Sequence, residues 1–101
     1  MLIFYVPVIP VILNNEPSVT AFINSNAVLP CSAVGNPQVV YNWKYANGGT
    51  IKQGGHFTLS KNGSLIVRNV TQVDERDYIC APYNAIGPGQ EATTYLTILS
   101  E

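Results

Sequence analysis

Charge is what this sequence has least of. Asp, Glu, Lys and Arg make up only 11% of its residues, against roughly 25% in an ordinary soluble domain. The five basic residues (Lys44, Lys52, Lys61, Arg68 and Arg76) are scattered, and the net charge is −1. Nucleic acid is therefore not an expected partner, because its binders carry a basic patch. A polybasic hold on an anionic membrane is equally unsupported. Histidine occurs once, as His56, and acidic residues gather only in the short run Asp74-Glu75-Arg76-Asp77. Neither an acid–base pair nor a nucleophile with its base is at hand, so no catalytic site and no cofactor are expected. Three carboxylates at that spacing do not match a calcium loop either, and no metal is expected. Long hydrophobic runs are missing as well. The opening M-L-I-F-Y-V-P-V-I-P-V-I-L is shorter than the about 20 residues of a spanning helix, and Pro7 and Pro10 would break one. It lacks the positive n-region and small-residue cleavage site of a signal peptide. This segment is not expected to enter a membrane. It reads as a β-rich opening strand, with Met1 an expression start and the chain a module cut from a longer protein.

What is present fits one globular domain over residues 1–101, with a modest core. Hydrophobic residues make up 47% and aromatics 10%, too much apolar content for a disordered chain. Short β-branched and aromatic runs alternate with turn signals, the spacing of an all-β sandwich. Extended segments are expected over Val6–Leu13, Ser18–Ile23, Asn26–Val34, Val39–Tyr45, His56–Ser60, Ser64–Val70, Tyr78–Asn84 and Gln90–Ser100. The prolines of the first suit an edge strand. Asn62-Gly63 marks a hairpin between the fifth and sixth, and Gly87-Pro88-Gly89 a turn between the last two. The stretch from Asn47 to Gly55 carries no clear pattern. No helical period persists beyond the connection T-Q-V-D-E-R-D.

Two cysteines, Cys31 and Cys80, flank a lone tryptophan, Trp43. Taken alone, the cysteines could be two free buried thiols. A tryptophan packed on an inter-sheet disulfide is, however, the mark of immunoglobulin domains. The chain resembles the I-set of the immunoglobulin superfamily over essentially its full length. C-S-A-V-G-N-P (Cys31–Pro37) is similar to that set's strand B and B–C turn, and G-S-L-I-V-R-N-V (Gly63–Val70) to its strand E. D-E-R-D-Y-I-C (Asp74–Cys80) is similar to its E–F corner and strand F, and N-A-I-G (Asn84–Gly87) to its F–G turn. Within the set, Y-I-C-A-P-Y-N-A-I-G (Tyr78–Gly87) with L-P-C (Leu29–Cys31) resembles domains of Turtle-type neural cell-adhesion proteins.

The resemblance implies an immunoglobulin-like antiparallel β-sandwich of Greek-key topology. One inter-sheet disulfide, Cys31–Cys80, would hold it, with Trp43, Leu65 and Tyr78 in the core. Tyr78 would turn its hydroxyl back onto backbone near Asp74, as a tyrosine corner does. The implied function is a non-catalytic extracellular module for recognition or cell adhesion, presenting a sheet face to another protein, a second copy included. The alternative is a structural spacer in a receptor stalk or an intracellular muscle-type scaffold. Neighbouring immunoglobulin-like or fibronectin-type domains of the same chain are implied as well. A complete cysteine pair and low charge favour the extracellular setting.

Three groups of residues are candidates for sites. Asn62-Gly63-Ser64 and Asn69-Val70-Thr71 both fit the acceptor pattern for N-linked glycans, although Asn-Gly also suits the hairpin turn by itself. If Trp43, Tyr78 and Cys80 point inward, period two turns Val40, Asn42, Lys44, Ile79, Ala81 and Tyr83 outward, with Thr93, Tyr95 and Thr97 beside them. Aromatic and aliphatic residues with one formal charge, Lys44, have the composition of an interface core. In the I-set an arginine at the start of strand D often pairs with the corner aspartate. Here that position is His56, so Asp74 is left to His56, to Arg76 or to water.

Overall fold

In the computed structural model, which describes residues 6–100, the chain folds into ten β-strands and one short 3-10 turn. The strands are β1 (Val8–Asn15), β2 (Ser18–Phe22), β3 (Ala27–Leu29), β4 (Cys31–Asn36) and β5 (Val40–Tyr45). They continue with β6 (Thr50–Ile51), β7 (Phe57–Leu59), β8 (Leu65–Val67), β9 (Asp77–Tyr83) and β10 (Ala92–Leu99). The expectation about Met1 lies outside the described residues. One layer is a five-stranded sheet in the order β2-β10-β9-β5-β6. The other comprises a three-stranded sheet, β3-β8-β7, and the pair β1-β4. The all-β immunoglobulin-like sandwich implied by the resemblance is the architecture found.

Three local expectations need correction. The single strand expected over Asn26–Val34 is two, because Pro30 interrupts it. Proline has no N–H for a ladder, and on either side of it the chain pairs with different strands, β3 with β8 and β4 with β1. The sandwich is also not wholly antiparallel. β2 runs parallel to β10 in the register Tyr95↔Ser18 to Leu99↔Phe22, so the segment around Pro17 carries the chain from one layer to the other. The last reversal, finally, is not at Gly87-Pro88-Gly89. The backbones of Asn84 and Gly87 bond to each other, Pro88 bridges back to Tyr83, and Gly89 donates to the Pro82 carbonyl. The glycine-proline-glycine run is thus the returning arm of a turn that Asn84 closes. The unpatterned stretch after Asn47 holds β6, two residues that pair with Trp43 and Lys44; a strand this short leaves no period to read.

The core follows from the alternation of the strands. Ala27 and Leu29 are buried around an exposed Val28, Leu65 and Val67 around a half-buried Ile66, and Leu96 and Ile98 around a half-buried Thr97. A fully buried leucine such as Leu29, Leu65 or Leu96 contributes about 2 kcal/mol. Trp43, Tyr78 and the Cys31–Cys80 disulfide complete the cluster. The bridge joins strands of opposite layers with a sequence separation of 49; in the chain-entropy model a loop of that length stabilises by on the order of 4 kcal/mol. The buried indole N–H of Trp43 donates to the Gly63 carbonyl at 2.8 Å. The hairpin turn is therefore tied to the core. Gly63 has φ +101°, and a Cβ there would meet the Cys31 carbonyl and, at 2.6 Å, the Tyr41 ring. Only glycine fits.

Candidate protein-binding face

The candidate interface residues lie on the outer face of the five-stranded sheet, placed there by the inward turn of Trp43, Tyr78 and Cys80. Val40 and Tyr83 are cross-strand partners, 48% and 45% exposed. Two pairs further along, Asn42 faces Ala81 and Lys44 faces Ile79, all four half-buried. Tyr95 stands on β10 opposite Asp77 and is 40% exposed. Its hydroxyl donates to Glu75 Oε2 at 3.2 Å. Partial desolvation, that hydrogen bond and the charge of Glu75 all raise the phenol above its ordinary 10.0.

The structure does not place these residues in one apolar patch. Lys44 Nζ reaches Glu91 Oε2 at 2.5 Å, so an ion pair divides Val40 and Tyr83 from Tyr95. The expectation of a single charge on this face is therefore wrong: within the expected segment Gln90–Ser100, Glu91 shares the outward side of Thr93 and Tyr95, and the fold brings it to Lys44. Ile86, in the turn after β9, is 49% exposed and extends the Val40–Tyr83 end. Phe22 and Leu99 are register partners beyond Tyr95, and both are exposed. Sequence reasoning missed this second apolar end, because the parallel register of β2 with β10 leaves no local signal. A further exposed strip (Ile9, Val11, Leu13 and Val34) lies on β1 and β4. The unbroken apolar run of β1, where an edge strand should alternate, was its signal.

The corner before β9 is held by the acidic run. Tyr78 donates its hydroxyl to the Asp74 carbonyl at 2.8 Å. Burial, and after it the Asp74 charge, push that phenol well above 10.0, with Arg76 acting in the opposite direction. Asp74 Oδ2 accepts from Thr71 N–H at 2.7 Å, and Oδ1 meets His56 Nε2 at 2.9 Å. His56 is thus the partner of Asp74. Arg76 is not: its guanidinium lies over the Tyr45 ring, 4.0 Å from the centroid. Glu75, considered in the sequence only as one of three carboxylates for a cation, accepts from Ile98 N–H at 2.8 Å. β9 starts only at Asp77, so this N–H on β10 lies beyond the β9 ladder, and a carboxylate takes the place of a carbonyl. The carboxylates of Asp74 and Glu75 are thereby committed to hydrogen bonds.

At the other end a shallow groove of about 290 Å³ opens between the β4–β5 loop and the β7–β8 turn, lined in part by Val39, Tyr41, Leu59, Lys61 and Gly63. Asn62 and Asn69, the two candidate acceptors, are both exposed.

A family model described as immunoglobulin domain matches residues 9–84. The chain belongs to the immunoglobulin domain family. This immunoglobulin domain is 38% identical over 97 residues to mouse hemicentin-2, covering 94% of the chain and 2% of that protein. It is 34% identical over 77 residues to the chicken cell adhesion molecule DSCAM, covering 70% of the chain and 4% of that protein. The domain therefore spans a few per cent of the length of these relatives. Among solved structures it is similar to titin domain M7, with 27% identity, a TM-score of 0.85, and coverage of 93% of the chain and 97% of that one. Neural ectodermal development factor IMP-L2 is similar at 25% identity, with a TM-score of 0.84 and coverage of 91% and 44%. The finer likeness to Turtle-type proteins stays an expectation.

Proposed function

We propose that this immunoglobulin domain is a non-catalytic, extracellular recognition module of a longer adhesion protein. Its working surface is the Val40–Tyr83 end of the five-stranded sheet, and a second copy of the chain is the first partner to test. The observation that carries this reading is an aromatic and an aliphatic side chain, each close to half exposed, side by side on a rigid sheet. Tyrosine in such a position supplies large contact area at low conformational cost. Likeness to a protein named as a cell adhesion molecule supports the same reading. So does the commitment of His56, Asp74 and Glu75 to structural hydrogen bonds, which leaves catalysis little to use. Sedimentation of the oxidised chain over a concentration range tests it. Self-association is expected, weakened by more than about 2 kcal/mol in Tyr83→Glu if Tyr83 is a hot spot. Association unchanged in a normally folded variant would remove this face from consideration.

The second reading is a structural spacer, and the likeness to titin domain M7 favours it. A strictly monomeric chain at every concentration would point that way.

A further inference from the structure

Asn62 and Asn69 differ from Asn84 and Asn36, whose amide nitrogens the fold uses. Asn84 is buried and employs both ends of its amide, and Asn36 gives its Nδ2 to the Val6 carbonyl. Asn62 and Asn69 are exposed, and among the described residues neither Nδ2 has a hydrogen-bond partner. Local structure accounts for asparagine at both positions. Asn62 Oδ1 accepts from Ser64 N–H at 3.0 Å within the turn, and Asn69 holds φ +50°, a left-handed backbone that asparagine tolerates. It does not account for the hydroxyl of Ser64, two positions after Asn62. The Ser64 hydroxyl has no partner among the described residues, whereas the Thr71 side chain takes part in a capping box with Asp74 and contacts its Oδ2 at 3.5 Å. Each triplet thus carries an exposed asparagine with a free amide nitrogen and a hydroxyl two positions on, the pattern of an acceptor, and the Ser64 hydroxyl is idle as well. The two triplets also bracket β8, the middle strand of the three-stranded sheet. Neither touches the sequence of β2, β5, β6, β9 or β10.

We propose that Asn62 and Asn69 both carry N-linked glycans, which cap the two ends of the three-stranded sheet and leave the outer face of the five-stranded sheet to protein. In the transfer, Nδ2 attacks the anomeric carbon of an oligosaccharide carried on a lipid diphosphate. The new N–C bond forms, the C–O bond to the diphosphate breaks, the amide loses one proton, and the lipid diphosphate leaves. The proposal rests on the extracellular reading, since the transfer belongs to the secretory route.

The chain, secreted from mammalian cells behind a cleavable leader, is digested with peptide-N-glycosidase in heavy-oxygen water. This leaves a heavy aspartate wherever a glycan was removed. Peptide mapping is expected to find the tag at both positions. Asn62→Asp keeps the acceptor oxygen of the turn and Asn69→Gly keeps the left-handed backbone, so each should lose one glycan and still fold. Hydroxyl-radical labelling of Tyr83 and Tyr95 should be the same before and after digestion. Secreted, disulfide-bonded protein tagged at one position or at none overturns the proposal while the extracellular reading stands. Protection of Tyr83 or Tyr95 by the glycans also overturns it. Retention inside the cell with two alkylatable thiols would instead remove the extracellular reading, and this proposal with it.

Discussion

At one end of the sandwich the loops after β4, β7 and β9 are tied together by neutral groups; at the other, ionisable groups hold the corner before β9. Asn84 is the centre of the first. Its Nδ2 donates to the Val8 and Pro37 carbonyls at 2.8 and 3.1 Å, and its Oδ1 accepts from the N–H groups of Ile86 and Gly87. One buried amide thereby joins β1, the β4–β5 loop and the β9–β10 turn. At the second end Asp74, Glu75, His56 and the Tyr78 hydroxyl share the work. Both arrangements answer the same need, since loop backbone taken out of water must find partners. The neutral end answers with shape and the corner with charge, so the two should fail under different perturbations.

The largest effect is expected at the neutral end. Gly63→Ala forces a side chain into the Cys31 carbonyl and the Tyr41 ring at a positive φ. Strain and overpacking together should destabilise by on the order of 4 kcal/mol, read as a fall in the denaturant midpoint at unchanged m-value. Asn84→Ala takes the side-chain partner from two carbonyls and from the Ile86 N–H, while Gly87 N–H keeps the Asn84 carbonyl, and should cost about 3 kcal/mol. If instead it costs less than a surface substitution, water replaces the amide and the contrast between the ends collapses.

At the corner, Tyr78→Phe removes one buried hydrogen bond and should cost about 1 kcal/mol at neutral pH. Its pH dependence sharpens the comparison. The folded pKa of Tyr78 is raised above the unfolded 10.0, so its contribution is complete below pH 10 and declines as pH rises beyond it. Stability curves of the wild type and Tyr78→Phe should therefore converge in alkali, whereas Asn84→Ala should stay parallel to the wild type. The smallest effect belongs to His56→Ala. That imidazole is about one-third exposed, and its loss should cost less than about 1 kcal/mol. A larger loss would make the pair with Asp74, rather than the Tyr78 bond, the main tie of the corner.

Much of this was open to sequence reading, for reasons that particular residues make plain. Cys31, Trp43 and Cys80 are large or reactive side chains at positions where the immunoglobulin pattern demands them, and strands of alternating burial surround them. The outward set Val40, Tyr83 and Tyr95 followed from period two alone. Glu75 did not, because it lies just before a strand, where the period has not begun; Glu91 shares the parity of Tyr95, but only the fold shows that it reaches Lys44. Phe22 and Leu99 were equally hidden. They are neighbours only because β2 runs parallel to β10, a long-range pairing that no local pattern announces.

By itself, then, the sequence determined the class of fold, the cysteine–tryptophan centre of the core and the side of the alternating strands that faces water, because alternation and the cysteine–tryptophan pattern act through the backbone period. Tertiary structure alone decided which of those outward residues meet. It set the Lys44–Glu91 pair across the sheet and gave Asp74 to His56 rather than Arg76. It also made Asn84 the tie between β1, the β4–β5 loop and the β9–β10 turn. Each of these depends on the distance between side chains remote in the chain, which is a property of packing and register rather than of neighbouring residues.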